Sequence, residues 1–127
     1  LIRYLIDSDC TIFTTTGQHP CLRERLGDCA PGEVGLSAIS YAEIVLGMEQ
    51  GKPPTPEALA LFVTVVRVLP FDEEAALVYA KLPFKRARFD RLLAAHALSI
   101  GATVISNNEA DFANVPGLKV ENWTLPL

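Results

Sequence analysis

"DRLLAAHALSIGATVISNN", residues 90–108, decides the fold class of this chain. Its first half is apolar on nearly every side of a helix, the mark of a central, buried helix rather than a surface one. The spacing predicts a helix over residues 89–100, stopped by Gly101, and a strand over Ala102–Ser106. A buried helix feeding a buried strand is the repeating unit of an α/β domain with a mainly parallel sheet and right-handed crossovers. Burial does not explain the polar groups at its ends: Asp90 at the mouth of the helix, and Ser106-Asn107-Asn108 after the strand.

The same alternation runs outward from there. Residues 2–7 read as a strand, and in "LIDSDCTIF", residues 5–13, its apolar run drives into Asp7-Ser8-Asp9. Two acids at the end of a buried strand are costly unless something positive sits there. Residues 19–29 carry Leu22 and Leu26 at helical spacing, and Val34-Gly35-Leu36 predicts a second strand. A helix follows from Ser37 or Ser40 to Gly51, then the stiff connector Lys52-Pro53-Pro54-Thr55-Pro56. Thr55 as N-cap with Pro56 at the first helical position starts the next helix. Val65–Leu69 is either that helix's end or a third strand, closed by Pro70. Asp72-Glu73-Glu74 opens a further helix, where acids suit the positive helix end, and Pro83 ends it. Residues 119–123 read as a final strand. In open α/β sheets, sites form outside the C-terminal ends of strands. Asp7 and the Ser106–Asp111 segment therefore share one rim, and the helices carrying Glu43 and Asp90 reach it too.

The chain has 127 residues, 50% hydrophobic and 20% charged, the size and composition of one folded domain over 1–127 with a real core. No apolar run is long enough for a bilayer, and the N-terminus lacks a signal-peptide pattern. These features predict a cytoplasmic protein. Cys10, Cys21 and Cys29 are odd in number and form no Cys-x-x-Cys pair, which argues for free thiols rather than disulfides or zinc. A net charge of −4 argues against a broad nucleic-acid-coating surface. Yet Lys81, Lys85, Arg86, Arg88 and Arg91 crowd a stretch whose single acid is Asp90. That run is either a phosphate track or a solvated helix end.

Each acid at the rim has an ordinary role available. Asp7 suits a loop after a strand. Glu43 in Ser40-x-x-Glu43 matches a capping box, although Gly47 one turn on leaves room around its carboxylate. Asp90 suits an N-cap or first turn, and Asp111 a turn. Jointly they point elsewhere. A hard divalent cation takes carboxylate and water oxygens and leaves positions open for phosphate, the arrangement for metal-assisted phosphodiester hydrolysis. Histidine is not required: His19 stands nowhere that demands a ligand, and His96 reads as a packed core or interface residue.

The chain resembles the PIN-domain nucleases of the VapC toxin type. The resemblance rests on "YLIDSD" (4–9), "LSAISYAEIVLG" (36–47), "LPFDEEAA" (69–76), "DRLLAAHALSIGATVISNN" (90–108) and "DFANVPGLKVENW" (111–123). It implies a three-layer α/β/α fold around a short parallel sheet. It implies that Asp7, Glu43, Asp90 and Asp111 hold Mg²⁺ or Mn²⁺, that the Ser8 hydroxyl helps order the first Asp, and that Ser106 lies near the fourth acid. Similar proteins are toxins of type II toxin–antitoxin pairs that cut specific RNAs, often at structured tRNA or rRNA sites. They form homodimers and larger assemblies with a VapB-like antitoxin, which wraps the toxin and pushes a basic side chain toward the acids. RNA contacts are expected from Lys85, Arg86, Arg88 and Arg91, and no membrane partner. The chain departs from the pattern twice. It reads Asp7-Ser8-Asp9 where the family commonly has Asp-Thr-Asn, and its approach to Asp90, residues 84–89, is short and basic. Asp9 is either a fifth acid near the metal or a helix-start acid.

Two rivals remain at this level. Asp7-Ser8-Asp9-Cys10-Thr11 fits the Asp-x-Asp-x-Thr loop of haloacid-dehalogenase-like phosphatases, with Asp7 as nucleophile, Asp9 as acid/base and Ser37 as the second-strand hydroxyl. No Lys precedes the late acids in a fitting context, and Glu43 and the Asp90 helix are left without a role. The second rival is a PIN domain that binds without catalysing.

Overall fold

Leu5 and Ile6 are consecutive and both fully buried, which in a strand sends them to opposite faces of the sheet. This pair organises the two cores of the computed structural model, which describes residues 1–83 and 88–126. Strand β1 (Tyr4–Ile6) pairs in parallel with β2 (Val34–Ser37) on one side and β4 (Thr103–Ile105) on the other. Strand β3 (Arg67–Leu69) and strand β5 (Val120–Glu121) complete a parallel sheet ordered β3-β2-β1-β4-β5. On one face Ile6 and Ile105 pack with Cys10, Leu22, Ile44 and Leu59. These come from α1 (Ser8–Thr15), α2 (Pro20–Gly27), α3 (Ala38–Glu49) and α4 (Pro56–Val65). On the other face Leu5 and Val104 pack with Leu93, Ala94 and Ala97 of α6 (Phe89–Ile100), against which α5 (Glu73–Lys81) lies. The three-layer α/β/α expectation holds. Among the described residues no helix is long and apolar enough to cross a membrane.

Most elements form where their residues predict. Thr55 accepts from the Ala58 N–H and Asp72 from the Ala75 N–H, capping α4 and α5. Gly101, at φ 67°, ends α6. Val65–Leu69 divides between the two readings, the end of α4 and β3. Gly35 is a tight packing position, since a Cβ there would lie 2.7 Å from Leu69 Cδ1 and force that side chain to shift.

One helix carries no periodic signal, and one expectation needs correction. Helix α1 has no apolar stripe because it buries Ser8, Cys10 and Thr11; Thr11 bonds back to the Asp7 carbonyl, and Ser8 reaches across to α3. Helix α3 is capped by Ser37, whose Oγ accepts from the Ile39 N–H at 3.1 Å. Ser40 is thus inside the helix, and the Ser40-x-x-Glu43 capping box does not form. A Cβ on Gly47 would stand 3.7 Å from the Lys52 side chain, an ordinary contact.

Candidate active site

The chain builds from β1 outward to β2 and β3, then returns to the other side of β1 for β4 and β5. The crevice beyond the C-terminal ends of β1 and β4 is therefore the switch point of the sheet, where open α/β folds place their ligands. Asp7 is the first residue past β1. It is the N-cap of α1, its Oδ1 accepting from the Cys10 N–H at 2.8 Å. Its backbone N–H donates to the Ile105 carbonyl of β4 at 3.0 Å, which holds the residue at the seam between the two strands. Burial pushes the Asp7 carboxyl up to about 6; hydrogen bonds from Ser106 and Cys10 pull against burial, and the nearby Asp9 charge adds to the rise.

Asp90 is in the first turn of α6, half-buried, its Oδ1 accepting from the Arg91 N–H at 3.0 Å. Glu43 projects from the second turn of α3 and accepts from Ser8 Oγ at 2.7 Å, a bond that ties α1 to α3. Asp111 lies in a short 3-10 turn, Glu109–Phe112, after β4, and accepts from Asn108 Nδ2 at 2.8 Å. All four line one pocket of about 210 Å³, together with Ser8, Asp9, Phe89, Leu93, Asn108 and Phe112. Asp9 is a first-turn acid of α1, the second of its two alternatives, and its residue also lines the pocket wall. Among the described residues the wall holds no Lys, Arg or His. A larger apolar cleft of about 720 Å³, lined by Leu26, Phe62 and Val65 among others, contains no acid.

The serines meet other partners than the resemblance implies. Ser8 serves Glu43 rather than Asp7. Ser106, fully buried, serves Asp7, and its Oγ accepts from the Asn108 N–H at 3.0 Å, so it touches the fourth acid only through Asn108. Neither Ser8–Glu43 nor Asn108–Asp111 has a sequence signal beyond residue type, because each depends on how separate elements meet.

The donor set suits a hard cation in chemistry: every ionisable group in the wall is a carboxylate. Among the described residues no three of them stand close enough to clasp an ion together. Each is instead held by its own hydrogen bond. Mg²⁺ tolerates this, since it keeps several waters and takes only one or two protein carboxylates beside substrate phosphate.

The basic run is partly legible. Lys85 and Arg86 lie outside the described residues. Arg88 is exposed at the N-cap of α6. Arg91 donates to the Asp111 carbonyl and Asn114 Oδ1, both at 3.3 Å, and so braces the turn that carries the fourth acid. His96 is buried, its Nδ1 2.7 Å from Ser37 Oγ and its ring edge-on to Phe71. That is the packed-core role expected of it. It also occupies the hydroxyl the phosphatase reading needs: Ser37 is buried away from the acidic pocket, bonded to His96 and the Ile39 N–H. The three cysteines are free thiols.

Comparison with known proteins agrees with this geometry. The PIN domain family matches residues 4–118. The tRNA(fMet)-specific endonuclease VapC of Shigella flexneri is 28% identical over 98% of this chain and all of its own length. The structure of DNA-bound VapBC from Salmonella typhimurium superposes with a TM-score of 0.81 at 28% identity, covering 97% of this chain and 99% of that one. VapBC2 from Rickettsia felis, at 22% identity and 96% and 99% coverage, has the same fold with a TM-score of 0.82.

Proposed function

This chain belongs to the PIN domain family, and from that premise we propose that it is a divalent-metal-dependent endoribonuclease, the toxin of a type II toxin–antitoxin pair. One observation carries the catalytic part: five carboxylates line a single pocket at the β1/β4 switch point, with no cationic side chain in its described wall. Asp7 and Asp90, oriented by the backbone N–H groups of Cys10 and Arg91, would hold Mg²⁺ or Mn²⁺, with Glu43 and Asp111 flanking. Bound there, the ion supplies charge neutralisation at the phosphodiester and a more acidic water. The protein's share is placement. Ser8 keeps Glu43 turned toward the pocket, Asn108 does the same for Asp111, and Ser106 and the α1 N-terminus keep Asp7 in one orientation. Water attacks phosphorus in line with the departing 3′-oxygen, leaving 5′-phosphate and 3′-hydroxyl ends.

The relatives supply the biological setting. A relative named as a tRNA(fMet)-specific endonuclease supports RNA, tRNA or rRNA, as substrate, cut in the cytoplasm. Neighbours solved as VapBC complexes support a VapB-like antitoxin, a homodimeric toxin and a larger assembly. A pocket of five acids is also the complement that a basic antitoxin side chain needs. Arg88, beside the pocket, is the described residue best placed to meet RNA phosphate.

The test is incubation of the purified chain with total cellular RNA, followed by sequencing of the ends. Cleavage with Mn²⁺, its loss in EDTA, and its loss in Asp7→Asn and Asp90→Asn are expected. Full cleavage by either variant, or in EDTA, rejects the proposal.

A further inference from the structure

One apolar side chain in the wall of the acidic pocket stands open to solvent. Phe89 is the first residue of α6, immediately before Asp90. Its ring is 39% exposed and forms part of the wall that holds the five acids. The other two apolar wall residues, Leu93 and Phe112, are 3% and 5% exposed and belong to the core beneath α6. Phe89 joins neither core, and among the described residues its ring meets no other aromatic. A ring this exposed adds less to the fold than the buried Leu93 and Phe112 beside it. What it offers is a flat apolar face directly beside groups suited to a phosphodiester. Arg88, exposed at the adjoining position, adds positive charge for backbone phosphate. An aromatic face flanked by a cation is the arrangement on which unpaired bases stack, and it is tolerant of base identity because every base has a π-face.

We infer that Phe89 is a specificity-determining residue: its ring stacks on an unpaired nucleobase next to the phosphodiester held in the acidic pocket. Inside a duplex both faces of that base are covered by its neighbours, so only RNA that presents the nucleotide outside a helix engages the ring. The inference rests on the nuclease reading and adds to it the state of the substrate at the cleaved bond.

The experiment has two stages that separate the two claims. Total RNA treated with the wild-type chain and Mn²⁺ first identifies a cleaved site; no cleavage under any metal condition overturns the nuclease reading, and the inference with it. A short RNA oligonucleotide containing that site is then cut by wild type, Phe89→Ala and Phe89→Trp, both free and annealed to its complement. Removing the ring is expected to raise KM roughly tenfold with kcat changed less than about twofold, the signature of lost uniform binding. Tryptophan restores KM, and annealing protects the RNA from every form. With 2-aminopurine beside the bond, binding to the Asp7→Asn protein quenches its fluorescence, and binding to Asp7→Asn/Phe89→Ala does not. An unchanged KM with equal quenching overturns the inference. So does a Phe89→Ala effect confined to self-association or antitoxin affinity, which would make the ring a protein contact instead.

Discussion

Replacing Asp7 with Asn should make the metal-free protein more stable while abolishing its activity. In the folded chain burial raises the Asp7 carboxyl to about 6 from an ordinary 3.8. At roughly 1.4 kcal/mol per pH unit, its ionised form costs the fold about 3 kcal/mol at neutral pH. The sign follows from proton counts. Between about pH 4 and 6 the folded chain keeps a proton that the unfolded chain has released, so stability falls as pH rises through that window. Above pH 6 the whole cost is present; below pH 4 it is absent. Asparagine keeps the acceptor that caps α1 through the Cys10 N–H, and its amide can donate to the Ser106 hydroxyl that now serves Asp7. It sheds only the charge. Urea unfolding in EDTA should therefore show Asp7→Asn more stable than wild type by about 2–3 kcal/mol at pH 7.5. The difference should shrink toward zero at pH 4. Saturating Mn²⁺ should then raise the wild-type midpoint and leave the variant where it was. A variant no more stable than wild type at pH 7.5, or a gain independent of pH, would refute the reading of Asp7 as a carboxylate held at a cost.

Gly35→Ala puts a Cβ 2.7 Å from Leu69 Cδ1 between β2 and β3 and should lower stability by about 1–3 kcal/mol in urea unfolding; an unchanged midpoint would mean that β3 moves aside freely. Ser8→Ala frees Glu43 from its 2.7 Å bond and should lower RNA cleavage by about tenfold, with Ser8→Thr restoring it; equal activity of all three forms would remove Ser8 from the site. His96→Leu strands the buried Ser37 hydroxyl and should cost about 1–3 kcal/mol, part of which His96→Asn recovers by offering Oδ1 near the Nδ1 position. Burial also holds the His96 imidazole below its usual 6.5, so the unfolded chain protonates first as pH falls. The wild-type fold therefore loses stability below about pH 6.5 from this residue, and a titration of His96→Asn lacking that loss would confirm its source.

How far the residues themselves foretold this arrangement depends on the range of the interaction. Asp7, Asp90 and Asp111 were legible because each stands just past a strand or in a first turn, positions that chain order and the switch-point rule place at one rim. Helix α1 was not legible, because it packs Ser8, Cys10 and Thr11 inward and shows no apolar period. The cap of α3 was ambiguous between Ser37 and Ser40, one turn apart and chemically alike; β2 decides it by carrying Ser37 into the buried layer. The partners of Ser8 and Ser106 were not legible because a hydroxyl's choice of partner is set by how α1, α3 and β4 pack, which neighbours in sequence do not encode. Arg91 looked like part of a phosphate track from charge alone, yet its guanidinium reaches across to the turn bearing Asp111.

The hydrogen bonds around the acids also explain why the pocket remains charged. Each of the four has a donor that is neutral: the Cys10 N–H for Asp7, the Arg91 N–H for Asp90, the Ser8 hydroxyl for Glu43 and the Asn108 amide for Asp111. A structural ion-pair network would use Lys or Arg and cancel the charge, as Arg3–Glu33 and Arg25–Glu121 do at the surface. Neutral donors fix direction and leave the negative field in place. Asp9 then strengthens that field, and its charge adds to the rise of the Asp7 carboxyl that burial chiefly causes. The same free energy that clustered carboxylates cost the fold favours whatever positive group enters the pocket, the divalent ion or the basic antitoxin side chain of the proposed reading. Asp9→Asn should therefore weaken Mn²⁺ binding severalfold without ending RNA cleavage, because it lowers the field and leaves every oriented acid in position.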